Sequence, residues 1–283
     1  MLEDKRPVEE CLQVARSIRT RGEIFVRMGR ENRGASSGLE SGIDWIFSHE
    51  ERAVILEDDL MASRAFFRFC DMALEEFEHD DRFGAVCGWT PLKEPPTNPP
   101  SPLWGKYAWT WGWGTFRRIW EMYRATANSS IESSLNIQNS TLLQRSHAPL
   151  ASHYWQRKIR LLDRYDLDAW DFKFNITLWR HHLLVIQPPF PLVENVGFDS
   201  RSTNLQIRPK FIKELDLTRI ESDAWMHDVR DLDVDLEQEN DMWGLSPNFS
   251  IGKYLTIWIS YWILQSPVRT RWYRRAQQLL SRT

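Results

Sequence analysis

An α/β layered fold with a largely parallel sheet is what this sequence predicts, and three observations carry the prediction. The short continuous apolar run Ala53-Val54-Ile55-Leu56 reads as a buried strand. A helix follows it, with Phe66, Phe67, Cys70, Leu74 and Phe77 recurring at helical spacing. Phe83-Gly84-Ala85-Val86-Cys87-Gly88 is then a second buried strand, and this alternation of strands with helices is how parallel sheets are built.

Each further element has a local cause. Residues 8 to 19 read as a first helix through Val8, Leu12, Val14, Ala15 and Ile18, and Glu23-Ile24-Phe25-Val26-Arg27-Met28 alternates as a strand does. After a loop from Gly29 to Gly38, Ser37-Gly38-Leu39-Glu40 has the form of a capping box and opens a helix through Ile43, Ile46 and Phe47. Ser63 is placed to cap the helix after Leu56, and Glu78-His79-Asp80-Asp81 stops it. Beyond a proline-rich loop from Pro91 to Pro102 lies the densest aromatic stretch, Trp104, Tyr107, Trp109, Trp111, Trp113, Phe116 and Trp120. A helix is expected from Ala169 to His181, a strand over Leu183-Leu184-Val185-Ile186, and another extended piece over Leu192-Val193-Glu194-Asn195-Val196. The character changes near residue 205, so the expected division is a domain over 1–205 and a C-terminal helical appendage over 206–283.

Composition excludes several classes. With 36 basic and 39 acidic residues the net charge is -3, which argues against a nucleic-acid partner. A chain 42% hydrophobic and 27% charged is globular rather than disordered. The three cysteines, Cys11, Cys70 and Cys87, form no C-x-x-C pair, as expected of thiols in a reducing cytosol. The charged start Met1-Leu2-Glu3-Asp4-Lys5-Arg6 carries no apolar secretory core. Fifteen tryptophans stand out. Their flat faces suit sugar rings, but also cores and membrane interfaces.

The chemistry starts where the first buried strand stops, at Glu57-Asp58-Asp59. Ligands of α/β sheets sit outside the carboxyl ends of the strands, and clustered carboxylates there suit Mg²⁺ or Mn²⁺ holding a diphosphate. A solvated acidic turn before a helix is the plainer use of the same three residues. Trp111-Gly112-Trp113-Gly114 puts two flat faces beside two residues without side chains, a layout that lets a sugar approach the backbone. Arg30 and Arg33 offer guanidinium forks to phosphate oxygens. Asp231-Leu232-Asp233-Val234-Asp235 imitates the start of a calcium loop but lacks its glycine, and His181-His182 lacks the second half of a zinc motif. Neither a phosphate-cradling G-x-x-x-x-G-K-[ST] loop nor a G-x-S-x-G elbow occurs.

Arg30-Glu31-Asn32-Arg33-Gly34, the helix after it, V-I-L-E-D-D and the Phe-rich helix together resemble nucleotide-sugar glycosyltransferases of the GT-A fold. They are similar to a bacterial, hemolytic-protein-like branch of the family-2-like transferases, and the E-D-D form also looks like N-acetylglucosaminyltransferase I. Further matching blocks follow in family order: Trp109 to Arg118, Trp170-Asp171-Phe172-Lys173-Phe174 and Asn195-Val196-Gly197-Phe198. Roughly residues 20 to 205 are covered.

The resemblance implies a metal-dependent, inverting transfer from a nucleotide-diphosphate sugar to a hydroxyl of a glycan or lipid-linked saccharide, in polysaccharide assembly. Asp59 would bind Mn²⁺ or Mg²⁺, and Glu57 and Asp58, with Arg30, Asn32 and Gly34, would bind the donor. Asp171 would be the catalytic base, and Trp111, Gly112, Trp113 and Gly114 would meet the sugar or acceptor. The family's first strand, first helix and second strand are expected before this chain's Met1, and its histidine is replaced by Asn204. Those missing strands motivate a second expectation, a non-catalytic saccharide- or partner-binding remnant. A metal-dependent nucleotidyltransferase is a third, which needs a glycine-rich N-terminal loop.

Residues 254–264 are apolar but too short to span a bilayer core of about 30 Å. With Arg269, Arg271, Arg274 and Arg275 after them, residues 254–275 fit either a buried C-terminal helix or peripheral contact with an anionic leaflet. The expected location is the cytoplasm, including the inner face of the cell membrane.

Overall fold

The computed structural model describes residues 5–20, 22–29, 33–92, 95, 98–127, 169–198, 225, 226, 228 and 229. The chain divides into two units, Met1–Trp45 and Ile46–Thr283. The boundary expected near residue 205, most of the C-terminal appendage and residues 254–275 lie outside the described residues.

The first unit carries α1 (Lys5–Ser17) and most of α2 (Ala35–Phe47). Helix α2 starts two residues ahead of the expected Ser37 cap, and the Gly38 N–H already bonds the Gly34 carbonyl at 3.1 Å. The expected strand over Glu23 to Met28 is absent: the segment has no regular structure, and Ile24, Phe25, Val26 and Met28 are all exposed. Alternation alone does not make a strand. It needs a neighbour to form a ladder, and among the described residues none runs beside it.

In the second unit β1 (Arg52–Ile55) leads through the carboxylate turn to the short β2 (Leu60–Ala62), α3 (Arg64–Glu76) and β3 (Phe83–Cys87). Ser63 caps α3 as expected, its hydroxyl accepting from the Phe66 N–H at 3.2 Å. The Pro-rich loop then gives β4 (Leu103–Gly105), β5 (Trp113–Phe116) and α4 (Arg117–Ala127), and α5 (Trp170–Arg180), β6 (Leu184–Gln187) and β7 (Val193–Asn195) follow.

The architecture is mixed α/β. Five strands form one sheet in the order β1-β5-β3-β6-β4, and β2 with β7 forms a second, antiparallel pair. The expectation of a largely parallel sheet is corrected here: of the four pairings only β3 with β6 is parallel. The three strands flanked by helices, β1, β3 and β6, do run the same way, as strand–helix alternation expects. The aromatic stretch adds two more strands that the alternation does not describe: β5 enters antiparallel between β1 and β3, and β4 lies antiparallel beside β6.

Side-chain alternation on β5 sorts the layers. Gly114 faces α3, since a Cβ there would meet Leu74 at 3.3 Å, and Trp113 faces the other way into α4 and α5. Phe66, Phe69, Cys70, Ala73 and Leu74 fill the α3 side, and Trp113, Trp120, Tyr123 and Phe174 fill the other. Among the described residues no helix is long and apolar enough to cross a membrane.

Candidate functional site

Loops after β1 and β3 and before β5 meet at one edge of the large sheet. The Gly88 N–H bonds the Gly112 carbonyl at 2.7 Å, and the Gly88 carbonyl accepts from Leu192 N–H at 2.8 Å. Leu192 in turn accepts from the Ser63 N–H at 3.0 Å, and the Val196 N–H bonds the Asp59 carbonyl at 2.8 Å. This chain of main-chain bonds ties the aromatic loop, the end of β3 and the small sheet to the carboxylate turn.

Glu57 and Asp59 are half-buried there, and Asp58 is exposed. Asp171 sits in the first turn of α5 and joins them: burial, then the charges of Asp59, Asp171 and Asp58, push the Glu57 carboxyl up to about 7. Asp171 thus lies within electrostatic reach of the Glu57–Asp59 turn. Asp59 is also held from β7. Asn195 Nδ2 donates to Asp59 Oδ2 at 3.1 Å, and Asn195 Oδ1 accepts from the Gly197 N–H at 2.8 Å.

The raised Glu57 pKa has a measurable consequence. A carboxyl that binds its proton more tightly when folded contributes stability that is complete below 4.5 and is lost as pH rises to about 7. In chelator-containing buffer, Glu57→Gln is therefore expected to gain about 1–2 kcal/mol on wild type between pH 4.5 and 8, after discounting for solvent screening of a half-exposed group. Denaturant midpoints at both ends of the range check it; parallel curves would refute it.

Of the aromatic quartet, Trp111 alone keeps a solvent-facing part. Its ring lies 4.9 Å from Trp89 and 6.2 Å from Phe198, whose neighbour Gly197 touches Asp59. Trp113 is 1% exposed and packs on Phe174, Trp170 and Trp120, so no face is open to a sugar. The expected sugar contacts of the two glycines are corrected likewise. Gly112 turns the chain with φ +66° and approaches Val193, and Gly114 lies in the strand against Val86 and the Ala53 carbonyl. Their missing side chains make room for protein.

Arg30 and Asn32 lie outside the described residues. Gly34 belongs to the first unit, where φ is 80° ahead of α2. In the same unit Arg33 and Arg27 both donate to Ser41 Oγ, at 3.3 and 2.8 Å. Buried Cys70 and Cys87 have their thiol pKa values pushed up by burial, Cys87 to about 12, which leaves them unreactive.

Asn195 and Gly197 belong to a block matched in sequence, yet their contact with Asp59 depends on the β2–β7 pairing across 136 positions. Sequence spacing does not reveal such a contact. Among the described residues no three His, Cys, Asp or Glu side chains gather to form a complete metal cage. Mg²⁺ and its relatives are more often held by one or two carboxylates plus substrate phosphates and water, which the Glu57–Asp59 turn can supply. No protein-family model matches the chain, and no curated protein matches it.

Proposed function

We propose that the chain is a GT-A-fold glycosyltransferase that moves a sugar, with inversion, from a nucleotide-diphosphate sugar to a hydroxyl of a glycan or lipid-linked saccharide. The observation that carries this reading is the carboxylate turn Glu57-Asp58-Asp59 at the end of β1, with Asp171 within electrostatic reach of it and the partly open Trp111 against Phe198. The donor set fits a divalent cation: hard oxygens, mutually repelling, with Asp59 held in place by Asn195.

In this reading Asp59 would hold Mn²⁺ or Mg²⁺, and the cation would supply Lewis-acid neutralisation of the leaving diphosphate. Glu57 and Asp58 would contact the donor's hydroxyls or the metal's waters. Asp171 accepts the proton of the acceptor hydroxyl as it attacks the sugar carbon. Trp111 offers its open face to the acceptor ring. A role in bacterial polysaccharide biosynthesis at the inner face of the membrane belongs to the same proposal.

A thermal-shift panel of UDP, GDP, dTDP and their sugars, with and without Mn²⁺, tests it. A ligand at 100 times its dissociation constant adds about 2.7 kcal/mol to the native state. One nucleotide is expected to raise the midpoint only with Mn²⁺, and Asp59→Ala to abolish that rise. No rise with any nucleotide would leave the second reading, a saccharide-binding remnant resting on Trp111 and its aromatic neighbours.

A further inference from the structure

We infer that Asn195 and Gly197 are positioning residues that clamp the Asp59 carboxylate and leave its Oδ1 as the oxygen available to a divalent cation. The inference rests on the reading of Asp59 as the metal-binding residue and adds the device that orients it.

Two contacts define the clamp. Asn195, buried on β7, donates from Nδ2 to Asp59 Oδ2 at 3.1 Å. Its own amide cannot be reversed, because its Oδ1 accepts from the Gly197 N–H at 2.8 Å, and an NH₂ group facing that N–H would set donor against donor. The second contact is steric. A Cβ on Gly197 would stand 2.5 Å from Asp59 Oδ2, 2.8 Å from its Cβ and 3.1 Å from its Cγ. The carboxylate therefore lies against a glycine backbone that has room for nothing larger than hydrogen.

The two main chains are locked as well. Leu60 pairs with Asn195 in the β2–β7 ladder, and the Val196 N–H bonds the Asp59 carbonyl. With Oδ2 occupied by the amide and flanked by Gly197, a cation meets an oxygen already aimed at it. Outer partners of this kind orient ligands, and losing one costs about 10- to 100-fold in metal affinity. Gly197 lies outside the left-handed region, so alanine fits its backbone, and the atoms nearest its added Cβ are those of Asp59.

The test is a Mn²⁺ titration followed by electron paramagnetic resonance on the full chain, with thermal midpoints as the check on folding. Asp59→Ala is expected to abolish the site. Asn195→Ala and Gly197→Ala should each weaken Mn²⁺ about 10- to 100-fold, while Met61→Ala, altering an exposed side chain on β2, binds as wild type. Should Asn195→Ala fail to fold, the half-buried Gly197→Ala decides alone. Unchanged Mn²⁺ binding in Asp59→Ala would overturn the metal reading and the clamp together. Loss in Asp59→Ala with wild-type affinity in the folded clamp variants would overturn the clamp alone.

Discussion

Trp113→Ala is expected to cost the native state about 3–5 kcal/mol, the range for removing a buried Trp or Phe ring. The indole is 1% exposed, with Phe174 at 4.8 Å, Trp170 at 5.7 Å and Trp120 at 6.5 Å between ring centroids. It joins the sheet to both helices on that side, and neither helix is able to collapse into the void without moving the other. Trp113→Phe is expected to cost far less. The Nε1 atom has no hydrogen-bond partner among the described residues, so Phe gives up ring volume and no hydrogen bond. Trp111→Ala, two residues away but part-exposed, is expected to cost about 1 kcal/mol, as substitutions outside the core do. Urea melts at unchanged slope measure all three. A Trp113→Ala variant as stable as Trp111→Ala would show that the core does not depend on this ring.

That contrast shows where sequence reading stops. Residues 111 and 113 share a motif and a residue type, and their separation into rim and core depends on where β5 begins. Strand β5 is four residues long, and the alternation of Trp109, Trp111 and Trp113 runs into it without marking where it starts. The preceding strand β4 and the antiparallel entry of β5 between β1 and β3 carry no local signal either, because pairing is a tertiary fact.

The elements that were legible had strong local causes. A continuous apolar run made β1 and β3, a serine hydroxyl started α3, and helical periodicity placed α5 within one residue at each end. Glu23 to Met28 had the right alternation but no partner strand, so local propensity was overruled. The site divides in the same way. Carboxylates at the end of an apolar strand are readable because strand ends are where α/β sheets place ligands, although β1 is an edge strand in which only Ile55 is buried, not the fully buried strand its apolar run predicts. Asp171 came only from resemblance, since nothing in spacing brings residue 171 to residue 57. Asn195 carried no signal of its own, because an asparagine in an extended segment is ordinary until its partner strand is known.

On the proposed glycosyltransferase reading, Asp171→Asn is expected to lower kcat by about 10²- to 10⁴-fold, the usual contribution of a positioned general base. The substitution keeps the side chain's size at the start of α5 and removes its charge, so the fold and Mn²⁺-dependent nucleotide binding should persist. A second signature follows from electrostatics. The Asp171 charge is one of the causes that hold the Glu57 carboxyl up, after burial and Asp59, so its removal lets Glu57 ionise at lower pH. The stability loss assigned to Glu57 should then begin and end at lower pH in Asp171→Asn. The two readouts separate two roles. A fall in kcat with donor affinity unchanged places Asp171 on the acceptor proton. An equal fall in nucleotide binding would place it on the donor and vacate the base, while an unmoved Glu57 transition would mean that the two carboxyl groups do not share a site in solution.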